Sequence, residues 1–224
     1  MNLPDFTILY EDSQILVCKK PAGVAVQSAR LSTPDMVSIL KNHLHKNRSS
    51  NTTDPYLAVI HRLDQPVEGV LVFAKTPFAA KELNKEMQSG GFGKHYHALV
   101  NGKPPKEQDT IEDYMVKDGR TNTSRICAKD MNGAKLARLT YQVIPQEPAA
   151  DNHRDRTLLD ITLDTGRHHQ IRVQMAHMGC PIVGDQKYGT ISQGHAKTKL
   201  ELCAYKLEFH HPKTKKAMTF YYDE

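Results

Sequence analysis

The sequence lacks the features that mark membrane, exported, disulfide-bonded or metal-binding proteins. Its apolar runs end within about five residues, as at Val70-Leu-Val-Phe-Ala74, whereas a bilayer-spanning helix needs about 20. The opening Met1-Asn-Leu-Pro-Asp5 has neither the basic start nor the apolar core of a secretory signal, so a cytoplasmic protein with no membrane association is expected. Only four cysteines occur (Cys18, Cys127, Cys180 and Cys203), far apart and without a Cys-x-x-Cys pair. Zinc-ribbon and thioredoxin-type sites fail on that spacing, and reduced thiols are expected. No Gly-rich phosphate cradle and no His-Glu-x-x-His occurs among the twelve histidines. What is present is ordinary for a soluble globular chain: 224 residues, 39% hydrophobic, 25% charged, with 30 Lys+Arg against 25 Asp+Glu for a net charge of +5. That balance is compatible with a polyanionic partner and does not identify one.

Hydrophobic periodicity predicts a strand-rich α+β chain with few helices, read as one continuous domain over 1–224. Two apolar runs around Glu11-Asp-Ser13 read as a β-hairpin. Thr33-Pro34-Asp35 supplies an N-cap, a proline at the first helical position and an early acid, and Val37, Leu40 and Leu44 follow at helical spacing. A second helix opens at Thr76-Pro77, carries Ala79, Ala80, Leu83 and Met87, and stops at Gly90-Gly91. Strands are expected at 57–60, 70–74 and about 94–100, 139–144 and 157–163. A third helix is expected over 167–178, and a closing hairpin from 205–209 and 217–222. The polar stretches 46–54 and 145–156 read as loops.

Three segments have residues suited to chemistry. His61-Arg-Leu-Asp64 sits in a polar loop between two apolar strands. Such a loop is a firm mount for a reactive carboxylate, although an aspartate capping a turn beside a solvated Arg62 satisfies the same pattern. In Lys94-His-Tyr-His-Ala-Leu-Val100, alternation puts Tyr96, Ala98 and Val100 on one face and His95, His97 and Leu99 on the other, so Tyr96 faces the core. The histidine pair has no third ligand placed by the sequence. On the third helix Ile171, Met175 and Met178 share one face, and His169, Arg172, Val173 and Ala176 lie roughly opposite. Arg172 is therefore expected inside, where a guanidinium requires a carboxylate. Asp64 is the acid best placed in apolar surroundings. Their pairing is either a structural ion pair or an arginine that keeps Asp64 ionised and aimed.

In this order the segments resemble the RluA family of RNA pseudouridine synthases. The matching pieces are Ile8-Leu-Tyr-Glu-Asp12, Lys20-Pro-Ala-Gly23, His61-Arg-Leu-Asp64, Lys94-x-Tyr96-x-Ala-Leu-Val-x-Gly102 and Gly166-Arg-x-His-Gln-Ile-Arg-Val173. Further on come Ala176-His-x-Gly179, Pro181-Ile-Val-Gly-Asp185 with Tyr188-Gly189, and Leu202-x-Ala-Tyr205. The family usually continues His-Arg-Leu-Asp with a Thr-Ser-Gly ending; here Gln65-Pro-Val-Glu-Gly69 replaces it. The small S4 domain that many relatives carry at the N-terminus has no room before Ile8, so a bare catalytic domain, working as a monomer, is expected.

The resemblance implies the pseudouridine synthase fold: a central, mostly antiparallel mixed sheet with flanking helices and a central active-site cleft. It implies isomerisation of specific uridines in a tRNA or rRNA stem-loop, with no cofactor and no metal. Asp64 would act at the sugar, as nucleophile or as base. Arg172 would hold Asp64 ionised, and Tyr96 would stack on the detached uracil. Arg62 would fill the stack vacated by the flipped base, and Arg167 and His169 would contact the RNA backbone. The basic loops 42–48 and 213–216 are candidates for phosphate contact, with plain solvated surface as the alternative. Two rivals remain. One is an RNA-binding scaffold without catalysis, which the altered Pro66-Val67-Glu68 keeps open. The other is a histidine-rich metallohydrolase, against which the absent ligand spacing counts.

Overall fold

The computed structural model describes residues 6–28, 33–46, 54–145, 156–189 and 199–222. The loops expected at 46–54 and 145–156 lie almost wholly outside these residues. The chain divides into two compact units, one of residues 1–93 with 204–224 and the other of residues 94–203. In chain order the elements are β1 (Thr7–Glu11), β2 (Ile15–Lys20), α1 (Met36–Lys46), β3 (Ala58–Val59), β4 (Glu68–Ala74) and α2 (Pro77–Gln88). They continue as β5 (Gly93–Asn101), β6 (Gln108–Asp118), β7 (Thr123–Cys127), β8 (Lys135–Ile144), β9 (Arg156–Leu163), α3 (Gln170–His177), β10 (Leu202–His210) and β11 (Ala217–Tyr221). This is the α+β composition that the periodicity predicts.

In the first unit the strands run β1-β2-β4-β10, with β3 also on β4 and β11 on β10. Strands β2 and β4 pair antiparallel from Ile15↔Ala74 to Lys20↔Gly69. Nearly every residue of both is buried, because both faces of this pair are covered. One face carries Ile15, Val17, Val70, Val72 and Ala74 into a cluster with Ala79, Ala80 and Leu83 of α2 and with Phe92 and Phe209. Helix α2 begins where its signals predict: Thr76 Oγ1 accepts the Ala79 N–H at 3.0 Å, and Pro77 opens the helix. Helix α1 is capped two residues later than expected. Asp35, not Thr33, accepts the Ser38 N–H at 2.7 Å, while Ser38 Oγ accepts the Asp35 N–H at 3.1 Å.

The second unit orders its strands β5-β9-β8-β6-β7. Each of these neighbours is antiparallel. Strands β6 and β7 and the first half of β8 are absent from the periodicity reading. β6 reads Gln-Asp-Thr-Ile-Glu-Asp-Tyr-Met-Val-Lys-Asp and buries only Met115, so it offers little apolar alternation and several poor strand formers. Backbone pairing with β8 and β7 determines its conformation. Helix α3 lies against this sheet through Val173, which packs with Met115, Ala137, Ile126 and Tyr188.

Gly69 shows how tightly β4 is held. Its φ is +147°, and an added Cβ would meet Ala204, with the backbone oxygen at 2.6 Å and Cα at 2.8 Å. Both the backbone conformation and the contact demand glycine. Gly69→Ala is therefore expected to destabilise the protein by about 3 kcal/mol or more in urea unfolding. A loss below about 1 kcal/mol would contradict the contact.

Candidate active site

The loop bearing Asp64 leaves β3 and returns as β4. A turn closes it, with the Val67 N–H donating to the Asp64 carbonyl at 3.0 Å. Its next residue, Gln65, is clamped by the segment Lys20-Pro-Ala-Gly23. The Gly23 N–H donates to the Gln65 carbonyl, and Gln65 Nε2 donates to the Gly23 carbonyl, each at 2.9 Å. Gly23 can present both groups because its φ is +86°. His61 is half-buried, with its Nε2 3.4 Å from the Val72 N–H and its ring edge-on to Phe92. It therefore braces the loop. Arg62 is exposed, and its Nη2 donates to Gln27 Oε1 at 3.2 Å.

The sequence pattern alone assigns Lys20 no role. Its side chain is fully buried, and Nζ donates to the carbonyls of Pro21 at 2.9 Å, Val24 at 2.7 Å and Gln65 at 3.1 Å. Burial pushes its pKa down to about 8, against the opposing pull of the Asp64 and Glu68 carboxylates. At neutral pH the ammonium is thus a buried cation that feels the Asp64 charge and, through the Gln65 carbonyl, ties that loop to the end of β2. Glu68, which stands where the family usually has serine, also accepts from Tyr222 Oη at 3.4 Å. A Lys-Pro dipeptide ending an apolar strand was the available signal, since a lysine there must find acceptors or be excluded.

In the second unit Tyr96, Ala98 and Val100 are buried on one face of β5, as the alternation requires. On the other face His95 Nδ1 lies 3.1 Å from Thr162 Oγ1. No group of three or more His, Cys, Asp or Glu side chains suited to a metal occurs among the described residues. Arg172 is buried, and its guanidinium meets Asp185 in a bidentate pair, Nε to Oδ2 at 2.8 Å and Nη2 to Oδ1 at 2.7 Å. The Asp185 side chain is fully buried. Burial acts to raise its carboxyl pKa, but the Arg172 hydrogen bonds and charge, with the backbone N–H groups of Lys187 and Tyr188, hold it below the usual carboxylate range. The sequence pairs Arg172 with Asp64; Asp185 is a further, buried carboxylate on this guanidinium.

Helix α3 starts at Gln170 rather than Arg167, because His169 sits in the left-handed region with φ 56° and ψ 26°. Gln170 Oε1 accepts from the Arg167 N–H at 3.0 Å and from Thr165 Oγ1 at 2.7 Å, which fixes the turn before it. Arg167 is exposed and donates from Nε to the Leu136 carbonyl at 2.7 Å. His169 is only 8% exposed, stacks on His168, and has Nδ1 2.6 Å from Tyr188 Oη. Tyr188 Oη also accepts the Ser124 N–H at 2.9 Å, and the Arg172 guanidinium lies over the Tyr188 ring. Burial, followed by the Arg172 charge, pushes the His169 pKa down to about 3. The ring is thus neutral and buried, and Arg172 sits beside it without repulsion.

Two linkages follow. Lys20 is deprotonated more readily folded than unfolded, so its contribution to stability rises with pH between about 8 and 10.5. Lys20→Met should abolish that rise in urea unfolding at stepped pH, and at pH 7 should cost about 1–3 kcal/mol from the orphaned carbonyls. An unchanged pH slope would contradict the burial of the ammonium. His169 has the reverse window. The unfolded chain takes up a proton below about 6.5 that the folded one refuses until about 3, so stability falls as pH drops through that interval. His169→Asn, which tolerates the left-handed backbone, should flatten the fall by up to about 1.4 kcal/mol per pH unit. An identical acid slope in the variant would show that His169 titrates normally.

With this geometry in view, the comparisons with known proteins agree with one another. The profile of the RNA pseudouridylate synthase family matches residues 14–177, a span that includes Asp64, Tyr96 and Arg172. The chain is 33% identical to the ribosomal large subunit pseudouridine synthase C of Buchnera aphidicola subsp. Baizongia pistaciae, over 93% of this chain and 64% of that protein. It is also 33% identical to the dual-specificity RNA pseudouridine synthase RluA of Vibrio parahaemolyticus, over 92% of this chain and 78% of that one. A third relative, the ribosomal large subunit pseudouridine synthase D of Nitrosomonas europaea, is 33% identical over 92% of this chain and 58% of its own length. The chain thus spans about three fifths of two of these three relatives. The solved human RNA pseudouridylate synthase domain containing 4 shares the fold, with a TM-score of 0.76 at 20% identity over 96% of this chain and 87% of that one. Family profile, relatives and fold converge, and the chain belongs to the RluA family of RNA pseudouridylate synthases.

Proposed function

We propose that this protein is an isomerase that converts specific uridines in structured RNA, tRNA or rRNA, to pseudouridine. Family membership carries the reading, because the matched span contains the three residues expected to do the chemistry. The reaction breaks the bond between ribose C1′ and N1 of uracil, turns the base, forms a bond between C1′ and C5, and releases the C5 proton. No electrons are gained or lost overall. Asp64 acts at the ribose, by attack on C1′ or by removing a sugar proton, and Arg172 keeps it ionised. Lys20 adds a second cation whose charge acts on the same carboxylate. Tyr96 stacks on the detached uracil and assists loss of the C5 proton. The target nucleotide must first be flipped out of its stem-loop, at a cost of a few kcal/mol. Exposed Arg62 fills the vacated stack, and exposed Arg167 contacts a phosphate. The two units together serve as one catalytic domain over 1–224, acting as a monomer in the cytoplasm. No helix among the described residues is long and apolar enough to cross a membrane.

The test is tritium release from total RNA labelled at C5 of uridine, with wild type beside Asp64→Asn. Wild type should release tritium, and fractionating the RNA then locates the substrate. Asp64→Asn should reduce release to background while its RNA affinity stays within a few fold. Undiminished release by Asp64→Asn would remove Asp64 from the chemistry. RNA binding without release by wild type would instead favour the scaffold without catalysis.

A further inference from the structure

One hairpin carries a clear excess of positive charge. Residues 115–135, spanning the end of β6, its turn, β7 and the loop into β8, carry Lys117, Arg120, Arg125, Lys129 and Lys135 against Asp118 and Asp130. That is a net +3 in this short stretch, where the entire chain carries +5. All five cations are exposed, and among the described residues none lies within ion-pair distance of a carboxylate. Elsewhere Lys41, Lys75, Lys106, Arg138 and Lys215 each sit within 3.0 Å of one. Unpaired like charges crowded on one hairpin repel each other, and a polyanion relieves that repulsion.

The hairpin is also firmly mounted. Its inner face buries Met115 with Ala137 and Val173. Ser124 Oγ is 2.8 Å from His168 Nδ1, the Ser124 N–H donates to Tyr188 Oη, and Lys187 Nζ donates to the Asn122 carbonyl in the turn at 3.0 Å. Lys117 pairs in register with Ser124 and so shares its face, on the side of the Arg167–His169 turn. Arg125 lies opposite Val116 on the other face, and Arg120 sits in the turn itself. The cations are thus presented on both faces and at the tip of a hairpin tied to the turns that hold Arg172.

We propose that the β6–β7 hairpin is an RNA-backbone grip, in which Lys117, Arg120 and Arg125 neutralise phosphates flanking the modified nucleotide. This rests on the reading of the protein as an RNA isomerase and names the surface by which it holds its substrate. The grip reads charge and shape rather than sequence.

The experiment measures binding of bulk tRNA across a salt series, and tritium release from labelled total RNA, for three proteins beside wild type. Lys117→Gln/Arg120→Gln/Arg125→Gln should weaken RNA binding about tenfold near physiological salt and make the plot of log affinity against log salt shallower by about 2. Arg120→Lys/Arg125→Lys, which keeps the charge, should bind like wild type. Lys81→Gln/Lys85→Gln, on exposed positions of α2, should leave the salt slope unchanged. A triple variant with wild-type affinity and slope would overturn the grip while leaving the isomerase reading intact. A wild-type protein that binds no RNA would overturn both.

Discussion

A buried guanidinium needs a carboxylate, and the Arg172–Asp185 pair is the interaction around which the second unit is arranged. Uncompensated, either charge would cost several kcal/mol in this environment, and removing one partner of such a pair typically costs about 3–5 kcal/mol. The geometry here is complete. Asp185 accepts both nitrogens of the fork and two backbone N–H groups of its own turn. Its neighbours obey the same electrostatics: His169 is kept neutral beside Arg172, and Tyr188 offers its ring to the guanidinium and its hydroxyl to His169 and Ser124. One ion pair therefore ties together α3, the turn after it and the β6–β7 hairpin.

The first unit solves a similar problem with a different cation. Lys20 is buried at the end of β2 and satisfies Nζ with three carbonyls, one of them from the residue after Asp64. The Asp64 loop is thus held through its backbone while the Asp64 charge acts on the ammonium. Glu68 changes this balance, because it adds a carboxylate beside Lys20 where the family usually has a hydroxyl. The substitution leaves the clamp on Gln65 in place, and β4 begins at Glu68.

Much of this is legible in the sequence. Helix α2 has a Thr-Pro start and a glycine stop, both local signals, and it forms where they say. Tyr96 faces inward because alternation along a strand is a local rule. The failures lie where long-range pairing overrides local preference. β6 is polar along most of its length and becomes a strand only through β8 and β7. His169 breaks the helix that the periodicity extends through it, since a left-handed residue leaves no hydrophobic trace. Asp185 was legible only as part of a family string: it sits in the polar run Gly184-Asp-Gln-Lys187, thirteen residues beyond Arg172, and nothing in that spacing announces a bidentate partner. The division near residue 93 is equally silent in sequence, because its boundary falls within β5.

The central physical claim is that Asp185 is what allows Arg172 to be buried, and a double-mutant cycle measures it directly. Arg172→Met, Asp185→Asn and the double variant would be compared with wild type by urea unfolding at neutral pH. Each single change should cost about 3–5 kcal/mol, with the double falling short of their sum by at least about 2 kcal/mol. Additive losses would mean that the two side chains do not depend on each other, and the account of the second unit would fail.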